Sequence, residues 1–278
     1  MQLIGQKHNL EIIDKWQELP QFLIIQGGPN TGKKYLTLYL CKKFGLRYSP
    51  MKNSVKNVRQ LVEYMSPDKN EVYHFDNFDD ASIAAKNSLL KITEEPIPGN
   101  YIVITGGPQI KTLESRAKRI IMEPYSIDEM DSYMSNIWKD KNLKHNLFIC
   151  GINTPAKVQI YKKYEPIEKL LNYVCDVFEH ITYISPDYII SMLQMFEDRY
   201  DKVTEGNEPK IDAVMLFLNM LINMIKYNIE DKQFYSYYKI LDILLDAKKK
   251  LQNEPTLRRK MLLFTTFYKI QQLQRSDV

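Results

Sequence analysis

The chain has 278 residues, 44% of them apolar, with 38 Lys and Arg against 34 Asp and Glu for a net charge of +4. That much apolar material supports a buried core and excludes a disordered tail-like chain, while no stretch approaches the run of about 18 apolar residues that a membrane helix needs. The small positive excess does not by itself assign a nucleic-acid binder, and the 3 Cys and 4 His are scattered without a C-x-x-C pair, so neither a disulfide framework nor a zinc site is expected.

The first residues lack a basic region followed by a long apolar core, so a cytoplasmic location with no membrane partner is expected. Gln2 to Trp16 predicts a short extended start and an amphipathic helix, broken at Leu19-Pro20. Phe22 to Ile25 then reads as a buried strand. It runs into Gly27-Gly28-Pro29-Asn30-Thr31-Gly32-Lys33-Lys34 and a helix whose apolar face is predicted as Tyr35, Leu36, Tyr39 and Leu40.

Strand, glycine loop, lysine and helix is the order that a phosphate-binding loop needs. Glycines let successive backbone N–H groups turn toward an anion, the helix adds its positive end, and Lys33 brings a point charge to the outer phosphates. ATP or ADP is therefore the expected cofactor. The pattern G-x-x-x-x-G-K-[ST] fails at its last position, where Lys34 offers no hydroxyl to Mg²⁺, so binding is favoured over hydrolysis and a metal is only weakly supported.

Downstream, Gly45 to Ser49 predicts a short strand, Val55 to Met65 a helix, and Val72 to Phe75 a strand that ends at Asp76. An aspartate there sits beside the phosphate loop and is suited to a nucleotide-bound cation. The next residue is Asn77, an amide that cannot take a proton from water, so the general-base position has no obvious occupant. Asp79 and Asp80 are expected to cap the next helix, Ala81 to Glu95. Tyr101 to Thr105 and Ile120 to Met122 are further strands, with a short helix between them at Ile110 to Ser115. Strands alternating with helices predict an α/β fold with a mostly parallel sheet and ligands at the carboxyl ends of its strands.

From Pro124 onward only helical periods are visible. Three short helices suggest a small lid, and the stretches 170–181, 186–196, 211–227, 234–251 and 257–273 an all-helical C-terminal region, with Val203 to Lys210 as a loop. The expected division is 1–123 for the P-loop core, 124–165 for the lid and 166–278 for the helical domain. Its apolar stripes, such as Met215, Leu218 and Leu221 to Ile222, fit either a bundle core or an oligomerisation face.

These stretches together resemble the AAA+ clamp-loader subunits of DNA replication, and among them the bacterial DNA polymerase III delta-prime type. The carrying residues are Ile4-Gly5-Gln6, similar to an "IGQ" opening, the loop Gly27 to Lys33, and Asn87-Ser88-Leu89-Leu90-Lys91-Ile92-Thr93-Glu94-Glu95-Pro96, similar to "NALLKTLEEPP". Glu114-Ser115-Arg116-Ala117 resembles the family's Ser-Arg-Cys motif with alanine for cysteine. The likeness covers about residues 1 to 160 by motif.

The resemblance implies that Arg116 is an arginine finger for a neighbouring subunit's ATP, that Thr105 holds the sensor-1 position and that Lys157 holds a sensor-2 position usually given to arginine. It implies a hetero-oligomeric ring joined through the C-terminal helical collar, with a sliding clamp and primer-template DNA as partners, the DNA held through its phosphates without sequence preference. The zinc module that many bacterial members carry is missing from the sequence. With Lys34 and Asn77 at two motor positions, the pattern resembles a stator that hydrolyses no ATP itself. An active AAA+ ATPase, as a clamp-loader motor or a helicase loader, is the alternative.

Overall fold

The computed structural model describes residues 4–67, 69–164, 167–200, 212–231, 235–254 and 258–276. The loop expected at 203–210 lies outside them. The chain divides into two compact units, one of Met1–Glu129 with Thr154–Ala156, the other of Met130–Asn153 with Lys157–Val278.

The first unit carries α1 (Lys7–Asp14), β1 (Phe22–Gln26), α2 (Lys33–Phe44), β2 (Arg47–Met51), α3 (Val55–Tyr64), β3 (Glu71–Phe75), α4 (Ile83–Glu94), β4 (Asn100–Gly106), α5 (Lys111–Glu114) and β5 (Lys118–Ile121). All five strands run parallel in the order β2-β3-β4-β1-β5, so β1 lies inside the sheet between β4 and β5. This is the expected α/β class.

Alternation along the strands builds two cores. Leu23 and Ile25 of β1 pack with Leu36 and Leu40 of α2 and with Val72 and Val103, while Phe22 and Ile24 pack on the other face with Leu61 of α3, Leu89 of α4 and Leu113 of α5. A strand buried on both faces must be apolar at every position, which is why β1 reads as an unbroken apolar run. β2 is an edge strand and carries Pro50, a residue tolerated there because an edge has ladder positions to spare.

Two local expectations are corrected. Asp79 and Asp80 do not cap α4: they form a 3-10 turn with Phe78, and the Ser82 hydroxyl accepts from the Ala85 N–H at 3.3 Å. The serine wins because its extended backbone (ψ 153°) is the geometry an N-cap requires. Tyr35 is not on the apolar face of α2 but 52% exposed, with Leu36, Thr37, Leu40 and Cys41 turned inward.

Among the described residues of the second unit, all regular secondary structure is helical. The unit takes most of α6 (Ile127–Met134) and α8 (Pro155–Tyr161), with α7 (Lys141–Ile149), α9 (Ile167–Glu179), α10 (Pro186–Tyr200), α11 (Ala213–Asp231), α12 (Tyr235–Asn253) and α13 (Arg259–Ser276). α6 stops at Met134. Aromatic contacts tie the bundle: Tyr173 stacks on Phe217 at 5.6 Å and Phe217 meets Phe267 at 6.2 Å. The stripe on α11 is thus core, since Leu218 and Leu221 are fully buried. No helix among the described residues is long and apolar enough to cross a membrane.

Candidate phosphate-binding site

The loop from Gly27 to Gly32 joins the carboxyl end of β1 to the first turn of α2. Gly32 caps α2 with φ 92°, and a Cβ there would lie 2.9 Å from the Tyr125 hydroxyl, so both backbone and space call for glycine. Three bonds shape the loop: Thr31 Oγ1 donates to the Gly28 carbonyl at 2.8 Å, Tyr125 Oη donates to the Thr31 carbonyl at 3.1 Å, and the Gly27 N–H donates to the Gly106 carbonyl of β4 at 3.0 Å.

Lys33, only 8% exposed, turns its ammonium back into the loop and donates to the carbonyls of Gly27 at 2.9 Å and Gly28 at 2.6 Å. Burial pushes its pKa down, opposed by the charges of Asp76 and Asp79. A buried ammonium resting on carbonyl dipoles lacks a full counter-charge, which is what a phosphate supplies. The adjoining cleft holds about 260 Å³ and is lined by Pro29 to Tyr35, Asp76, Asn77, Tyr125, Pro155 and Ala156. The backbone cradle, the buried lysine and the cleft fit the phosphates of a nucleotide.

They fit Mg²⁺ less well. Lys34 replaces the hydroxyl, Thr31 is spent on Gly28, and the Thr37 hydroxyl donates to the Lys33 carbonyl within α2. Among the described residues no cluster of three His, Cys, Asp or Glu gathers for a metal.

Asp76 follows β3 and accepts from Thr105 Oγ1 at 2.7 Å, so these two predicted residues meet. Asp79 is the residue that sequence reasoning placed wrongly. Its carboxylate packs on Gly106 and Gly107, with Oδ1 buried and unbonded, and a Cβ on Gly106 (φ 149°) would lie 1.9 Å from it. The glycine pair after a strand ending in threonine was the signal that something approaches the backbone there. Tyr125, also unforeseen, is the aromatic support of the loop.

Arg116 lies elsewhere. It precedes β5, whose first residue Lys118 pairs with Leu23 near the start of β1, so it stands at the amino end of the sheet, opposite the phosphate loop. Its guanidinium reaches Glu94 Oε1 and the Thr112 carbonyl, each at 2.9 Å, beside a second cleft of about 240 Å³ lined by Phe22, Met65, Ile97 and Lys118 among others. Lys157 belongs to the second unit, where its half-buried side chain donates from Nζ to the Gly151 carbonyl at 2.6 Å. Gln6, of the "IGQ" opening, is structural: its amide exchanges bonds with both backbone groups of Glu123 and accepts from Asn9, tying α1 to the exit of β5.

No family model matches the chain, and no curated protein matches it. Among solved structures, a DNA polymerase III gamma subunit-related protein of Thermotoga maritima is similar over 96% of this chain and 99% of its own, at 16% identity and TM-score 0.48. The Thermotoga maritima RuvB Holliday junction branch migration motor is similar over 80% and 78%, at 12% identity and TM-score 0.49. At those scores the likeness adds nothing to what the sheet order and the loop already establish.

Proposed function

We propose that this chain is a non-hydrolysing subunit of a clamp-loader ring of the delta-prime type. It binds ATP or ADP at the loop Gly27 to Lys34, joins its neighbours through the C-terminal helices, and lends Arg116 to a neighbour's nucleotide during the loading of a sliding clamp on primer-template DNA. The 124–165 segment serves as the lid, with Lys157 in the sensor-2 role that the resemblance implies, and 166–278 as the collar.

The observation that carries this reading is the separation of Arg116 from Lys33 to opposite ends of one sheet. A guanidinium at the amino end cannot serve the chain's own loop, while its half-exposed tip, held among the described residues by Glu94 and Thr112, is available to a second molecule. Asn77 after Asp76 supports the lack of turnover, because an amide accepts no proton.

Asp79 favours the alternative, an active AAA+ ATPase, since it places a carboxylate near Lys33. ATP hydrolysis by the purified chain decides between them. No turnover, together with partner hydrolysis that collapses on Arg116→Ala, is the expected result; turnover lost in Lys33→Ala makes this chain a motor.

A further inference from the structure

Three polar side chains on adjacent strands and Asp76, just beyond the end of β3, form one directed chain of hydrogen bonds on the sheet face beneath α2. Tyr48 of β2 meets His74 Nδ1 at 2.8 Å, His74 Nε2 meets Thr105 Oγ1 of β4 at 3.1 Å, and Thr105 Oγ1 meets Asp76 Oδ1 at 2.7 Å. The carboxylate only accepts, so the threonine hydroxyl gives it its proton. Thr105 must then accept from Nε2–H, which leaves Nδ1 to accept the tyrosine proton. Every donor has an acceptor with one assignment of protons, and it fixes His74 as the neutral Nε2–H tautomer. His74 is 1% exposed at the middle of a strand whose neighbours Val72, Tyr73 and Phe75 are all buried. An imidazole there costs stability and adds no apolar packing, so its presence asks for a polar task.

We infer that Tyr48 and His74 are positioning residues for the phosphate site: through Thr105 they hold the Asp76 carboxylate in a place from which it supports the charge of Lys33 without pairing with it. Asp76 acts on Lys33 through space, yet the ammonium bonds to Gly27 and Gly28 and not to the carboxylate. A carboxylate released from Thr105 closes on the lysine and competes with phosphate for it. This rests on the nucleotide reading of the loop and adds two residues to it, one of them on the edge strand.

Two measurements test it on the full chain. In the ¹⁵N spectrum of the imidazoles at pH 7.5, the signal lost in His74→Gln is expected to show the neutral Nε2–H pattern; an imidazolium or Nδ1–H pattern overturns the relay whether or not nucleotide binds. Fluorescent ADP binding is then compared across variants whose folding is checked by circular dichroism. His74→Leu is expected to weaken binding about fivefold to tenfold, the scale of one lost neutral hydrogen bond, and His74→Gln, whose amide stands where Nε2–H stood, to restore it. In an Asp76→Asn background His74→Leu is expected to add nothing further. Unchanged binding in His74→Leu, or an equal loss in the Asp76→Asn background, overturns the inference. Failure of the parent chain to bind any nucleotide sinks the proposed cofactor and with it the positioning role.

Discussion

The two ends of the sheet carry the two charges that the proposed function depends on, and they are built in opposite ways. At the carboxyl end, Lys33 is buried, bonded twice to its own loop and set among Asp76, Thr105, Tyr125 and a glycine pair that admits Asp79. At the amino end, Arg116 is a surface side chain with one exposed carboxylate and one carbonyl as partners. The first arrangement costs folding energy and fixes geometry for the ligand proposed for the chain's own loop. The second costs little and leaves a long cationic side chain free to re-aim, as a group offered to another molecule must be.

The largest expected effect comes from closing the space beside Asp79. Gly106→Ala puts a Cβ into that carboxylate at a φ of 149°, and is expected to cost about 3 kcal/mol or more in urea denaturation, against well under 1 kcal/mol for an alanine substitution at Arg116. If both changes cost the same, the contrast between the ends is wrong.

The next effect is in pH. Burial, aided by Lys34 and opposed by Asp76, pushes the His74 pKa down to about 4 from 6.5, and its ring nitrogens meet Tyr48 and Thr105. Below pH 6.5 the unfolded chain binds a proton that the folded chain refuses until about pH 4. Stability is therefore complete above pH 6.5 and falls by up to about 3 kcal/mol as the pH drops through that window. Denaturation curves of His74→Gln are expected to lose that slope.

Lys33→Ala sharpens the comparison by separating function from fold. Nucleotide affinity is expected to fall at least about 100-fold, the order of a lost charge-assisted phosphate contact, while the change in unfolding free energy stays within about 1 kcal/mol because a desolvated ammonium leaves with its bonds. The smallest effect on the isolated chain belongs to Arg116→Ala, whose own nucleotide affinity is expected to stay within about twofold; its consequence is a loss of about 10³-fold in a partner's hydrolysis, measured in the reconstituted ring.

The sequence carried the loop, the strands and the fold class because each rests on a local pattern: an apolar run, a glycine spacing, a 3.6-residue period. Asp76 and Thr105 were placed by their positions at strand ends. The relay was not legible, because Tyr48, His74 and Thr105 come together only once β2, β3 and β4 are laid side by side in register. Asp79 was misread since a carboxylate before a helix satisfies the capping pattern just as well, and the Gly106-Gly107 backbone that receives it comes 27 residues later. Tyr35 was misassigned to the apolar face because an aromatic at a helical spacing near a loop has two options, and the cleft wall claimed it.

Lys33 resting on the carbonyls of Gly27 and Gly28 also sets a threshold for what the loop accepts. A newcomer must outbid two internal bonds before it gains the lysine. A lone sulfate or inorganic phosphate offers little beyond what the carbonyls already give, whereas a polyphosphate can engage the backbone N–H groups first and draw the ammonium across afterwards. On the proposed nucleotide reading, the resting lysine is expected to favour a polyphosphate over small single anions.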